Sequence, residues 1–111
     1  MESNRQKKVA RLVQKDLSQI FLQDSRVHYS SVMVSVTHVL ITKDLSQAKV
    51  YLSLFPKRLD VFEEITLRRL KIKHQLSCKL KNQLRKTPDL FFYIDNSQEH
   101  YDNISSLLKD I

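Results

Sequence analysis

An α+β domain, with a three-stranded sheet covered by helices on one face, is the fold this sequence predicts, and three observations predict it. Residues 3 to 23 carry apolar side chains at helical spacing. Two consecutive stretches, 32–42 and 47–55, alternate apolar with other residues. A long helical segment then leads through Pro88 into a third apolar strand. Two strands joined by a short connection make an antiparallel hairpin, and a strand reached through a helical crossover pairs in parallel with the first or second of them. The predicted order is α-β-β-α-α-β plus a short C-terminal helix, in a single domain over residues 1–111.

In the first helix Ser3 and Gln6 form a candidate capping box, and Val9, Leu12, Val13, Leu17, Ile20 and Phe21 supply one apolar face. In the first strand Val32, Val34 and Val36 alternate strictly, and the β-branched content favours an extended chain. Lys43 to Ser46 is polar enough to turn. QAKVYLSLF then sets Ala48, Val50, Leu52 and Leu54 on one side, and Pro56 closes it. Residues 58 to 86 read as helix in two parts, with a kink near Arg68 to Lys71. In the second part Ile72, Leu76, Leu80 and Leu84 recur every four residues and span about 120° of the circumference. His74, Cys78, Lys81 and Arg85 fall opposite them, flanked by Lys79 and Lys86. Pro88 ends the helix. DLFFYID follows as a strand apolar on both faces, which predicts a central, well-covered position. Ser97 caps the final helix, whose apolar face is Tyr101, Ile104, Leu108 and Ile111.

Composition narrows the function. The chain has 111 residues with 41% hydrophobic and 28% charged content, ordinary for a globular domain. Its longest apolar run, Leu90 to Ile94, is far shorter than the ~20 residues a membrane span needs. MESNRQKK does not read as a secretory signal, and the single Cys78 suits a reducing compartment, so a cytoplasmic location is expected. There is no glycine where about eight would be average, which removes the phosphate-binding loop, the dinucleotide fingerprint and the nucleophile elbow in their usual forms.

The charge is +7 and it is localised. Residues 57 to 86 hold ten cations against Asp60, Glu63 and Glu64, a surplus equal to that of the whole chain. An excess confined to one third of a chain more often meets phosphate than mere solvent. Arg68, Arg69, Lys71, Lys73, Lys79, Lys81, Arg85 and Lys86 are the candidate RNA contacts, because a helix fixes the spacing of long cations against a polyanion. Arg5, Lys7, Lys8 and Arg11 on the first helix read as plain surface charge. Phe91, Phe92, Tyr93, Tyr51 and Phe55 read as core packing in preference to base stacking. His74 and Cys78, one turn apart, lack further metal ligands, and His28, His38 and His100 are scattered. Asp24-Ser25 with His28 is too loose for a triad. Asp95, Glu99 and Asp102 suit the start of a helix, where carboxylates complement the macrodipole, better than acid–base chemistry. No catalytic, metal or cofactor site is expected.

Three stretches carry a resemblance: MESNRQKKVARLVQKDLSQIF, SVTHVLITKDLSQAKVYLSLF and NQLRKTPDLFFYIDNS. Together, in order and covering most of residues 1 to 108, they resemble the ribosome-binding factor A family, and the element order is that of the type II KH topology. The resemblance implies a bacterial assembly factor, often linked to growth in the cold. Such a factor binds the maturing small ribosomal subunit and its rRNA, supports late processing and then leaves, without catalysis, membrane or small-molecule substrate, and as a monomer. The family usually has Ala-x-Gly at its interhelical kink. Here the corresponding stretch is Arg68 to Leu70, with no glycine. The competing reading is a DNA- or protein-binding regulatory module using the same basic helix, and a small nuclease built on Asp95 and Asp102 is a distant third.

Overall fold

A computed structural model of the chain describes residues 2–29 and 31–95. The expected C-terminal helix lies outside the described residues. The observed order is α1 (Asn4–His28), β1 (Met33–Ile41), β2 (Gln47–Phe55), α2 (Leu59–Leu67), α3 (Arg69–Leu80) and β3 (Asp89–Ile94).

The first helix begins where its capping residues dictate. Ser3 Oγ accepts from the Gln6 N–H at 3.1 Å, and Gln6 Oε1 accepts from the Ser3 N–H at 2.8 Å. Gln6 is also buried, and its Nε2 donates to the Ile41 carbonyl at 2.8 Å, which pins the N-terminus of α1 to the end of β1. The helix runs past the expected residue 23 to His28. There the Tyr29 N–H caps the Ser25 carbonyl, and the Tyr29 ring is buried against Phe21.

β1 and β2 pair antiparallel from Met33↔Phe55 to Ile41↔Ala48, and β2 pairs in parallel with β3 from Gln47↔Asp89 to Leu52↔Ile94. The strand order is β1-β2-β3, so β2 is central and β3 is an edge. This corrects the central place expected of β3. Among the described residues its second apolar face is covered by single side chains and not by a layer, as described below.

A bulge at Thr37 shifts the β1 register between Val36 and His38, and the Val36 carbonyl accepts from Gln14 Nε2 of α1 at 3.0 Å. With no glycine in the chain, Ser31 (φ 62°) and Leu45 (φ 64°) take the left-handed turn positions. The Leu45 turn is held by the Asp44 carboxylate, which accepts from Thr42 Oγ1 and from both the N–H and Oγ of Ser46.

The core lies between the sheet and the helices. Val13, Leu17 and Phe21 of α1, Ala48, Val50 and Leu52 of β2, and Ile72, Leu76 and Leu80 of α3 are buried there. Each fully buried leucine or isoleucine contributes about 1.5–3 kcal/mol by leaving water, so the ladder on α3 fixes which face of that helix is left to solvent.

Candidate nucleic-acid interface

α3 ends at Leu80, six residues before the expected Lys86. The Gln83 and Leu84 N–H groups both bond the Leu80 carbonyl, which closes a turn that carries Leu84 back against the core without helix. The Asp89 N–H then bonds the Ser46 carbonyl, tying the start of β3 to the hairpin turn. Lys81 is therefore the C-cap residue, and Arg85 and Lys86 stand on a loop and not on the helix the sequence suggested.

The eight candidate cations are spread around α3 instead of sharing one face. Arg68 is the junction between α2 and α3, at φ −89° and ψ 11°, and it is partly buried. Its Nε, the Tyr29 hydroxyl and Asp24 Oδ2 are shut off from solvent without a well-formed hydrogen bond. Burial pushes the Tyr29 hydroxyl above its ordinary pKa, and the neighbouring Arg68 guanidinium opposes that rise. Arg69 places its guanidinium 5.5 Å from the centre of the Phe91 ring. Lys73 Nζ donates to Asp89 Oδ1 at 2.6 Å. That bond, then the charge of Lys73, holds the Asp89 carboxyl below the usual carboxylate range, with smaller help from Lys86 and Arg69.

Lys71 is exposed on the outer side of α3, where it lines an open depression with Arg68, Leu70, His74 and Gln75. Leu67 and Leu70 beside it are 82% and 71% exposed, so the helix junction offers apolar as well as cationic contact. Lys79 reaches Gln19 Oε1 of α1 at 3.4 Å. Arg85 and Lys86 meet Arg5 of α1 around a cavity of about 350 Å³ that is also lined by Asp44, Leu45 and Ser46 of the hairpin turn.

Arg5, read from the sequence as plain surface charge, lies beside the loop cations of the candidate site. The capping box placed it at the first turn of α1. Only the hydrogen bond from Gln6 to Ile41 brings that turn next to the hairpin and the α3–β3 loop. Lys7, Lys8 and Arg11 are exposed and do not line that cavity. Among the described residues, Lys73 is the one member of the eight held in an ion pair, and Arg68 is turned inward beside Tyr29.

The aromatic expectation holds in part. Phe92 is buried, edge-on to Phe21 at 6.1 Å, and Phe91 is half-buried beneath Arg69. Tyr93 is 42% exposed, Phe55 is 78% exposed, and Tyr51 is half-buried on the sheet face opposite the helices, which no described element covers. Asp95 accepts from Thr37 Oγ1 at the bulge, and its N–H donates to the Leu52 carbonyl. Glu99, His100 and Asp102 lie outside the described residues. Cys78 Sγ is 4.0 Å from His74 Nε2, and no group of three metal-ligating side chains occurs among the described residues. No described helix is long and apolar enough to cross a membrane.

A mixed three-stranded sheet backed by helices in the order α-β-β-α-α-β, with cations around its helix junction and the following loop, defines a KH-like domain of type II topology. A sequence profile described as ribosome-binding factor A matches residues 5–108, and the chain belongs to that family. It is 42% identical to ribosome-binding factor A of Christiangramia forsetii, with 97% of this chain and 85% of the relative covered. It is 43% identical to the Flavobacterium psychrophilum protein of that name, at the same coverage. Among solved structures the fold is similar to the crystal structure of the Thermus thermophilus factor, with a TM-score of 0.67 at 16% identity, covering 80% of this chain and 94% of that one. It is also similar to a homology model of the Thermus factor fitted into the cryo-EM map of a complex of that factor with the 30S subunit. That likeness has a TM-score of 0.68 at 14% identity and covers 86% of this chain and 97% of that one.

Proposed function

We propose that this protein binds the maturing small ribosomal subunit, holds a segment of its rRNA through cations on α3 and the α3–β3 loop, supports late rRNA processing, and then dissociates. The observation that carries the reading is the gathering of Arg5, Arg85 and Lys86 around one cavity, with Lys81 on the same loop, at the end of a helix whose inner face is locked by Ile72, Leu76 and Leu80. Long cations on a fixed support release condensed counterions when they meet phosphate, and that release supplies affinity without sequence readout. Membership in the ribosome-binding factor A family and the 30S complex of a relative with this fold support the same partner.

The action is conformational. A rigid cationic surface restrains a flexible rRNA segment during maturation, with no bond made or broken by the protein, which works as a monomer in the cytoplasm. Sedimentation with immature small subunits, mature small subunits and duplex DNA tests this. Retention on immature subunits in preference to the other two is expected. Equal or stronger retention on DNA would replace this reading with that of a DNA-binding regulatory module.

A further inference from the structure

The face of the sheet turned away from the helices carries an aromatic row that the cationic loop does not use. His38, Tyr51 and Tyr93 occupy paired positions on the three strands. The Tyr51 and Tyr93 rings stack with centroids 5.4 Å apart and planes at 28°, and the His38 ring lies 6.1 Å from Tyr51 at 42°. The neighbouring rung is Leu40, Lys49 and Phe91, with the Arg69 guanidinium over the Phe91 ring. On the other side the rung is Ser35 with Ser53.

Because β3 is the edge strand among the described residues, no described strand faces the side of the Tyr93 ring away from Tyr51. The same edge is lined by cations, Arg69 above Phe91 and Lys73 at Asp89. Both carboxylates beside the row are engaged, Asp89 by Lys73 and Asp95 by Thr37.

We propose that this open face is a second RNA contact, on which an unpaired nucleotide stacks its base against the Tyr93–Tyr51 pair while its phosphate meets Arg69 and Lys49. The chemistry of the rung selects this occupant. A flat π-face beside the Lys49 ammonium and the Arg69 guanidinium suits a base and its phosphate, whereas Lys49, Ser35 and Ser53 interrupt the apolar continuity that the core of a protein interface needs. The inference rests on the RNA-binding function proposed above, but it concerns different residues and a different kind of contact, since stacking depends on the base and ion pairing on the phosphate.

Binding of a dye-labelled, unstructured RNA strand is measured for the wild type, for Tyr51→Ala with Tyr93→Ala, and for Tyr51→Phe with Tyr93→Phe. Each is also tested against the same strand with its bases removed. The double alanine variant is expected to bind about ten-fold more weakly, with the phenylalanine pair restoring affinity. The salt dependence should be unchanged, because no phosphate contact is lost. Base removal should weaken the wild type by a similar factor and leave the alanine variant unaffected. Wild-type binding that responds neither to base removal nor to the tyrosine changes overturns the second contact and leaves the cationic site standing. A wild type that binds neither the strand nor immature subunits overturns both. The base-removal arm uses unaltered protein, so misfolding of a variant cannot decide the outcome.

Discussion

Exchanging Lys81 and Arg85 for glutamate removes two cations from the loop that follows α3, and the effect can be worked out from their placement. Arg5, Arg85 and Lys86 surround one cavity, Lys81 is the helix C-cap beside it, and Lys79 lies one half-turn earlier on the flank toward α1. If these five side chains each meet a phosphate of a single strand, log K falls with log salt at a slope of about −3.5. Losing two contacts reduces the slope to about −2.1, so the affinity ratio of wild type to variant narrows about seven-fold between roughly 50 and 200 mM salt. Fluorescence anisotropy with an rRNA fragment over that range reads both quantities. Glutamate at Lys7 and Lys8, which are exposed on α1 but do not line the cavity, is the control and should leave the slope in place. An unchanged slope in the Lys81/Arg85 variant, or equal flattening in the control, would refute a contact localised to this loop.

Three further outcomes follow from the packing and the charges. Leu76→Ala opens a cavity in the centre of the α3 ladder and should lower stability by about 2–5 kcal/mol, read as a reduced urea midpoint with the slope retained. Gln6→Ala breaks the capping box and leaves the Ile41 carbonyl without its side-chain donor, so a loss of about 1–3 kcal/mol is expected; a loss below about 0.5 kcal/mol would show that Gln6 does not anchor α1. The Asp89 carboxyl titrates below its ordinary value of about 3.9, so its contribution is complete above that pH and is lost as pH falls through the lower folded value. The stability difference between wild type and Asp89→Asn should therefore be steady near neutral pH and shrink below about pH 4. A difference that grows on acidification would contradict the sign of the shift.

What could be read from the sequence was whatever local chemistry decides. Ser3 and Gln6 announce the start of α1, the alternation from Ala48 to Leu54 marks the inward face of β2, and the loss of helical register near Arg68 marks the junction. The end of α3 was not legible, because Leu84 continues the four-residue spacing and still packs inward after the helix has stopped. The chain must reverse to bring Asp89 level with Gln47 for parallel pairing, and that demand comes from the sheet. The edge position of β3 was hidden for a related reason. Phe91 and Tyr93 look like residues for a second covered face, yet one is capped by Arg69 and the other leans on Tyr51. Of the candidate site, the type of side chain was legible and the grouping was not. Arg5 joins the loop only through the long-range bond from Gln6 to Ile41, and Lys73 is paired only because β3 brings Asp89 to it.

At the junction between α2 and α3 the backbone leaves the proposed contact to side chains. A glycine in a kink allows positive φ and lets backbone approach a phosphate closely. Arg68 needs neither, since at φ −89° and ψ 11° it sits in the bridge region at negative φ, which an L-residue can occupy. Its N–H is shared between the Glu64 and Ile65 carbonyls, and its own carbonyl accepts from the Ile72 N–H, so the turn is held by ordinary helix-end bonds. The space that an absent side chain would leave is instead filled by a guanidinium drawn inward beside Tyr29 and Asp24, with Arg69, Leu70 and Lys71 standing outside it. The proposed approach of RNA at this point therefore runs through the Arg69 and Lys71 side chains and an exposed leucine, not through fixed N–H groups. Contacts of that kind are electrostatic and weaken steeply with salt, which suits a factor whose proposed role ends in release.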